Sequence, residues 1–231
     1  PTNVFVAAPL RGKPYGVVST IAYNPFYGDV DSAGLVKLMV VEAIARAVAA
    51  GADPQSIALN DNFYTPKYTP EVGWHLKRMV ETAASISKEF GTPFISGKDS
   101  SSGTFLTTDG KSIDVPLTFA VATIGKMADV SRVRTKDFKS IGSSIVLVGG
   151  IDPTRLGGSV YLDCFGKRGS ELYASDDPSY TQRVKKLWYR LHDLYGRSGC
   201  CVKAASAVGE GGVFVRLFEM AYGGGLGVDL S

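Results

Sequence analysis

Hydrophobic residues along this chain keep two different periods, and the switches between them mark out the elements. Residues 4–9 are short, apolar and extended, and 15–23 carry the β-branched and aromatic residues of a strand. A turn-rich run, 24–32, follows, and Ser32 is placed to cap the next helix. That helix, 33–50, is apolar nearly all round (Leu35, Val36, Leu38, Met39, Val40, Val41, Ile44, Val48), so it should be buried on most sides until Gly51 stops it. A short strand at 56–59 runs into a polar, proline-bearing loop, 60–70. The helix 71–90 has one apolar face at period 3.6, from Val72 through Leu76, Met79, Val80, Ala83 and Ile86 to Phe90. Gly91 ends it, a strand occupies 93–96, and a second polar loop follows. Residues 103–113 read as a hairpin or a mobile loop around Asp109-Gly110, and 116–125 as a strand. A charged connector, 126–138, sets a domain boundary near 138. Beyond it the pattern predicts a buried strand at 144–148, a glycine turn at Leu156-Gly157-Gly158-Ser159 and a helix at 178–195. The small apolar run 202–208 leads to Gly209-Glu210-Gly211-Gly212, which opens an amphipathic helix, 213–222.

The candidate chemistry gathers at two strand ends. One is Asn60-Asp61-Asn62-Phe63; the other is Gly97-Lys98-Asp99 followed by a run of three serines. Gly97 permits a sharp turn and close approach by a ligand. Lys98 is a point charge suited to phosphate. Asp99 can hold Mg²⁺ or order the lysine, and the serines offer hydroxyls, which together make a phosphate cradle one reading of this loop. An exposed polar loop is the other, as an Asx turn is for Asp61 and Asn62. The spacing excludes a Walker loop. The two junctions flank one helix, and β-α-β connectivity with parallel strands puts both on the same sheet edge, where α/β proteins bind ligands. Glu42 and Arg46 lie four apart in the first long helix. An ion pair worth about 0.2–0.5 kcal/mol is the first reading, and a metal-ligating Glu42 the second. His75 and His192 sit in helices and read as surface or packing residues.

Composition narrows the classes. The chain has 231 residues, 45% hydrophobic and 20% charged, as a soluble globular protein does. A net charge of +3 without a basic cluster argues against nucleic-acid and membrane surfaces. Three cysteines, Cys164 and the vicinal Cys200 and Cys201, have no zinc spacing, and the odd count disfavours a secreted disulfide framework, so a cytoplasmic location is expected. No nucleophilic Ser/His/Asp or Cys/His arrangement and no dinucleotide fingerprint stands out, which leaves phosphate and magnesium chemistry. The chain begins at Pro1 and ends at 227–231 in what reads as the start of a strand, so an excerpt of a longer polypeptide is expected.

Several motifs in order resemble a family: Val41-Glu42-Ala43, Gly51-Ala52-Asp53-Pro54, Asn60-Asp61-Asn62-Phe63 and Gly91-Thr92-Pro93 come first. Ser96-Gly97-Lys98-Asp99-Ser100, Leu156-Gly157-Gly158-Ser159, Glu210-Gly211-Gly212-Val213 and Phe218-Glu219-Met220-Ala221 complete the set. Their order over nearly the whole chain resembles the second synthetase repeat of phosphoribosylformylglycinamidine synthase, within the aminoimidazole ribonucleotide synthetase-like superfamily. The resemblance implies an α/β (α+β) repeat with an N-terminal ATP-binding domain, 1–138, that pairs into a β-barrel, and a C-terminal α/β domain, 139–231, truncated here. It implies ATP-dependent conversion of formylglycinamide ribonucleotide to its amidine through an iminophosphate that ammonia displaces, with ATP and Mg²⁺ as cofactors. It makes Asp61, Gly97 and Lys98 ATP-binding residues, Ser100 and Asp99 substrate-binding residues and Glu42 a metal ligand. Most catalytic groups would lie on the first repeat, and ammonia would come from a glutaminase domain or subunit.

The chain departs from the family where long-form members bind an auxiliary nucleotide's Mg²⁺. Their first-strand aspartate, helix Glu-x-x-x-Asn and Asp-x-Ser fall at Tyr15, at Glu42 with Arg46, and at Ala207-Val208-Gly209. The resemblance therefore implies a repeat that has lost the auxiliary site and kept the residues serving the catalytic one. Two alternatives stand beside it: a catalytically degenerate scaffold repeat, and a stand-alone small-molecule kinase of the same superfamily.

Overall fold

The computed structural model describes residues 3–174 and 176–230, so Pro1 and Ser231 of the terminal expectations lie outside it. Seven strands are present among these residues: β1 (Val4–Ala7), β2 (Gly16–Ala22), β3 (Ala58–Tyr64), β4 (Phe94–Ser100), β5 (Thr104–Leu106), β6 (Ser112–Asp114) and β7 (Thr118–Met127). The helices are α1 (Pro25–Gly28), α2 (Ser32–Ala50), α3 (Pro70–Phe90), α4 (Val160–Asp163), α5 (Tyr180–Gly196) and α6 (Gly212–Gly224). Five strands make one sheet in the order β1-β2-β7-β3-β4, and β5 and β6 form a separate hairpin at 103–115. Every pair in the sheet is antiparallel except β3 with β4, which are parallel and joined by α3, the β-α-β unit that the sequence pattern predicts.

Burial alternates along β2 and β7 because only one face of the sheet is covered. On that face Val18, Ala22, Leu59, Phe119 and Val121 meet Leu35, Met39, Val40 and Ile44 of α2 in one hydrophobic cluster. The Thr20 hydroxyl, buried between the layers, bonds to Ala43 O and to Thr123 Oγ1, each at 2.8 Å, so no polar group is stranded there. The opposite face leaves Phe5, Ile21 and Ile124 exposed.

α2 is buried nearly all round because three layers meet on it: the sheet, α3 and α5. α5 is fastened by Trp188 against Phe90, ring centroids 4.8 Å apart, and by the Tyr195 hydroxyl, which donates to Ala49 O at 3.1 Å. Lys185 Nζ adds a bond to Glu89 O at 2.6 Å. The cap of α2 is Asp31, one residue earlier than expected: its carboxylate accepts from the amides of Ala33 and Gly34. Ser32 is instead buried against His75, its Oγ 3.1 Å from the ring Nδ1. Gly51 ends the helix at φ 113°, a left-handed position that glycine tolerates.

The expected buried strand at 144–148 is not formed, and Ile145, Val146, Leu147 and Val148 are exposed. A strand exists only through its ladder, and every sheet strand of the described residues lies before residue 128. Residues 226–230 are likewise without a ladder. α6 is held from outside by the connector: Phe138 N donates to Met220 O at 3.0 Å, and Lys136 pairs with Glu219 at 3.3 Å.

Candidate functional site at the β3–β4 edge

The two polar segments expected to be loops are strand. β3 and β4 stay paired through their ends, with Asp61 opposite Gly97, Asn62 opposite Lys98, Phe63 opposite Asp99 and Tyr64 opposite Ser100. Such polar residues fit a strand here because β4 is an edge strand, exposed along most of its length. The register shifts between Leu59 and Asn60, whose partners are Phe94 and Ser96, so Ile95 is an extra residue in the ladder.

Pleating divides the expected site residues between two faces. Leu59 is fully buried on the helix-covered face, and Phe63 packs on Phe119 there with ring centroids 4.9 Å apart. Asp61, midway between them, projects to that same face, with Gly97 and Asp99 in register. Asn62, Lys98 and Ser100 project to the open face. On the first face the Asp61 carboxylate lies across Gly97: a Cβ at position 97 would stand 2.2 Å from Asp61 Oδ1. The glycine therefore keeps the path from the free edge to the carboxylate clear. Asp61 is half-buried, and that burial pushes its carboxyl above the usual range.

On the open face Lys98 Nζ donates to Ser100 Oγ at 2.7 Å and to Asp99 O at 2.9 Å. The Ser100 hydroxyl donates to Asn62 Oδ1 at 3.1 Å. Asp99 accepts from Ser101 Oγ at 2.6 Å, and this bond is the main reason its carboxyl is held below the usual range. The strand ends in a turn at Ser102, whose φ of 60° is left-handed without glycine. Because β4 is the edge, a ligand that straddles it can meet Lys98 from one side and Asp61 from the other. The sequence pattern brought these two segments together but could not show this division. Asn62, which the sequence places only in the strand-end motif, accepts the last bond of the polar chain.

Glu42 lies on α2, in the fold's interior. One carboxylate oxygen is taken by Arg46 Nη2, and both side chains are nearly buried, at 8% exposure for Arg46 and 13% for Glu42. Arg46 Nη1 also donates to Ile21 O. Burial raises the Glu42 carboxyl above its ordinary range against the pull of Arg46. Gly209 presses on the pair, since a Cβ there would stand 2.2 Å from Glu42 Oε1. Among the described residues no group of three His, Cys, Asp or Glu is arranged to hold a metal ion. An occupied carboxylate with a guanidinium beside it does not fit a divalent cation. The glycine turns also pack tightly: Gly158 meets the backbone of Phe26, and Gly157 that of Glu171.

The chain is thus a mixed α/β unit whose free strand edge gathers lysine, aspartate, asparagine and serine. Solved structures of PurL from Thermotoga maritima in complex with ADP, ATP and FGAR share that fold, with TM-scores of 0.54, 0.53 and 0.52. Each is 17% identical and covers 84% of this chain, which in turn covers 26%, 27% and 25% of those chains. Phosphoribosylformylglycinamidine synthase subunit PurL of Gloeobacter violaceus is 30% identical over 214 residues, 93% of this chain and 27% of that protein. The PurL subunit of Alkaliphilus metalliredigens is 31% identical over 222 residues, 96% of this chain and 28% of that protein. No family model matches. The chain is similar to these PurL proteins over nearly its whole length, and it spans less than a third of the length of these relatives.

Proposed function

We propose that this chain supplies one half of a synthetase site for the ATP-dependent conversion of formylglycinamide ribonucleotide to its amidine in purine biosynthesis. ATP and FGAR come from the family and from what the T. maritima PurL structures hold. In this reading residues 1–138 form the ATP-binding domain and 139–231 part of the C-terminal domain of a second synthetase repeat. The first repeat and a glutaminase domain or subunit are the partners. The open apolar sheet face, with Phe5, Ile21 and Ile124, supports pairing of this repeat with another into a barrel.

The observation that carries the reading is the free edge where Gly97 leaves the Asp61 carboxylate open on one face and Lys98 stands on the other. The Lys98 ammonium offers a phosphate a positive charge, and the backbone at Gly97 allows it to come close. Ser100 and Asp99, next along the strand, face the substrate. In the reaction the amide oxygen takes the terminal phosphoryl group, ADP leaves, and ammonia displaces phosphate from the iminophosphate carbon. The chain's part is to position and to neutralise charge, which is most of what phosphoryl transfer needs. Mg²⁺ accompanying the nucleotide would find the Asp61 carboxylate here and would screen the phosphates. Glu42 is excluded by its ion pair, and the auxiliary nucleotide site is lost in this repeat. Lys98→Ala and Asp61→Ala in the full-length enzyme should each lower ATP-dependent turnover by roughly tenfold or more while leaving the unfolding midpoint nearly unchanged. Unchanged kinetics for both would remove the assignment. A second tightly held, Mg²⁺-dependent ADP that is lost in Glu42→Gln would restore the auxiliary site.

A further inference from the structure

Lys98 and Ser100 sit on an exposed edge strand, where a lysine ordinarily samples many rotamers. Here its ammonium is held by two bonds, and one of them depends on a residue of the neighbouring strand. An ammonium has only protons to give, so in the Lys98–Ser100 contact the serine oxygen must accept. The single hydroxyl proton of Ser100 then has to go elsewhere, and Asn62 Oδ1 takes it at 3.1 Å. The direction of the chain, Lys98 to Ser100 to Asn62, is thus fixed by proton counting. Asn62 itself belongs to β3, which is paired on both sides, by β7 and β4, whereas Lys98 and Ser100 lie on the edge strand.

We propose that Asn62 is a positioning residue: it orients the Ser100 hydroxyl and, through it, aims the Lys98 ammonium toward a nucleotide phosphate. Two ammonium protons are spent on Ser100 Oγ and Asp99 O, and the third is left for the ligand. This rests on the reading of Lys98 as a phosphate contact, and the following measurements separate the two.

Steady-state kinetics of the full-length enzyme are compared for Asn62→Leu, Ser100→Ala, the double variant and Lys98→Ala. Leucine keeps the volume of asparagine and removes the acceptor. Asn62→Leu should raise KM for ATP by roughly three- to tenfold, the range expected for one lost hydrogen bond, with a smaller change in kcat. In the Ser100→Ala background the same substitution should add less than about twofold, because its route to Lys98 is already cut. Asn62→Asp, which keeps an acceptor oxygen, should stay within about threefold of wild type and covers the case in which leucine impairs folding. The proposal is overturned if KM for ATP in Asn62→Leu matches wild type, if its effect multiplies fully on that of Ser100→Ala, or if Asn62→Asp is as impaired as Asn62→Leu. If Lys98→Ala itself leaves ATP kinetics unchanged, the phosphate reading of Lys98 falls and the positioning role with it.

Discussion

Gly97→Ala separates stability from function at the proposed site. A Cβ at position 97 would stand 2.2 Å from Asp61 Oδ1, 3.0 Å from its Cγ and 3.4 Å from Oδ2, so something must move. What it meets is the end of a side chain that is half-exposed, not backbone. Turning the carboxylate aside costs about 0.5–1.5 kcal/mol in rotamer strain. Replacing a strand glycine with alanine returns about 0.5–1 kcal/mol through the lower entropy of the unfolded chain. The net change in stability should therefore lie within about 1 kcal/mol, a shift of roughly 2–4 °C in a chain of this size. Gly28→Ala is the control. Its Cβ would stand as close, 2.1 Å, but to the backbone carbonyl oxygen of Leu117, which leads into β7 and cannot rotate away. It should cost about 1–3 kcal/mol, the usual price of overpacking. Activity should order the other way. Displacing the carboxylate by an ångström or more should lower ATP-dependent turnover by roughly 10- to 100-fold in Gly97→Ala. Thermal unfolding and turnover of the full-length protein supply both readouts. Equal destabilisation by the two substitutions would show that Asp61 is not the group that yields, and full activity in Gly97→Ala would show that its position does not matter.

Asp61→Asn should be more stable than wild type at neutral pH. Burial raises the folded carboxyl, so the folded state keeps its proton to higher pH than the unfolded one, and stability falls as pH rises from the unfolded value through the folded one. Asparagine has no such loss, so the gap between the two proteins should close as pH falls below about 4, which urea midpoints from pH 3 to 7 would test. Arg46→Met should cost about 3–5 kcal/mol because it leaves Glu42 buried without its partner; adding Glu42→Gln should recover most of that in denaturant unfolding. Trp188→Ala should cost about 3–5 kcal/mol and raise hydrogen exchange in α5, since buried Trp188 ties that helix to α3 through Phe90.

Much of the fold was legible along the chain because it depends on near neighbours. The unbroken apolar run of α2 announced a helix buried on most sides, and three layers do meet on it. Gly51 and Gly91 ended their helices where the period ran out, both at left-handed φ. The alternation of elements foretold the parallel β3–β4 pair and so brought Asp61 and Gly97 together. The ordered motifs carried the resemblance to PurL proteins. The ends of β3 and β4 were not legible. Asn60 to Tyr64 and Gly97 to Ser100 have the composition of loops, and they are strand only because a neighbour lies alongside them. The converse holds at 144–148, whose composition is that of a buried strand and which has no ladder.

The amino-acid sequence by itself therefore determined which residues are the candidates for the chemistry, which helix sits at the centre and which two strands run side by side. Only the tertiary structure decided that Asp61 and Lys98 leave their strands on opposite faces, that Gly97 is the opening between edge and carboxylate, and that Asn62 holds Ser100. Periodicity is written in residues a few places apart, whereas a strand's limits and the partners of its side chains are set by segments that the chain brings back from tens of residues away.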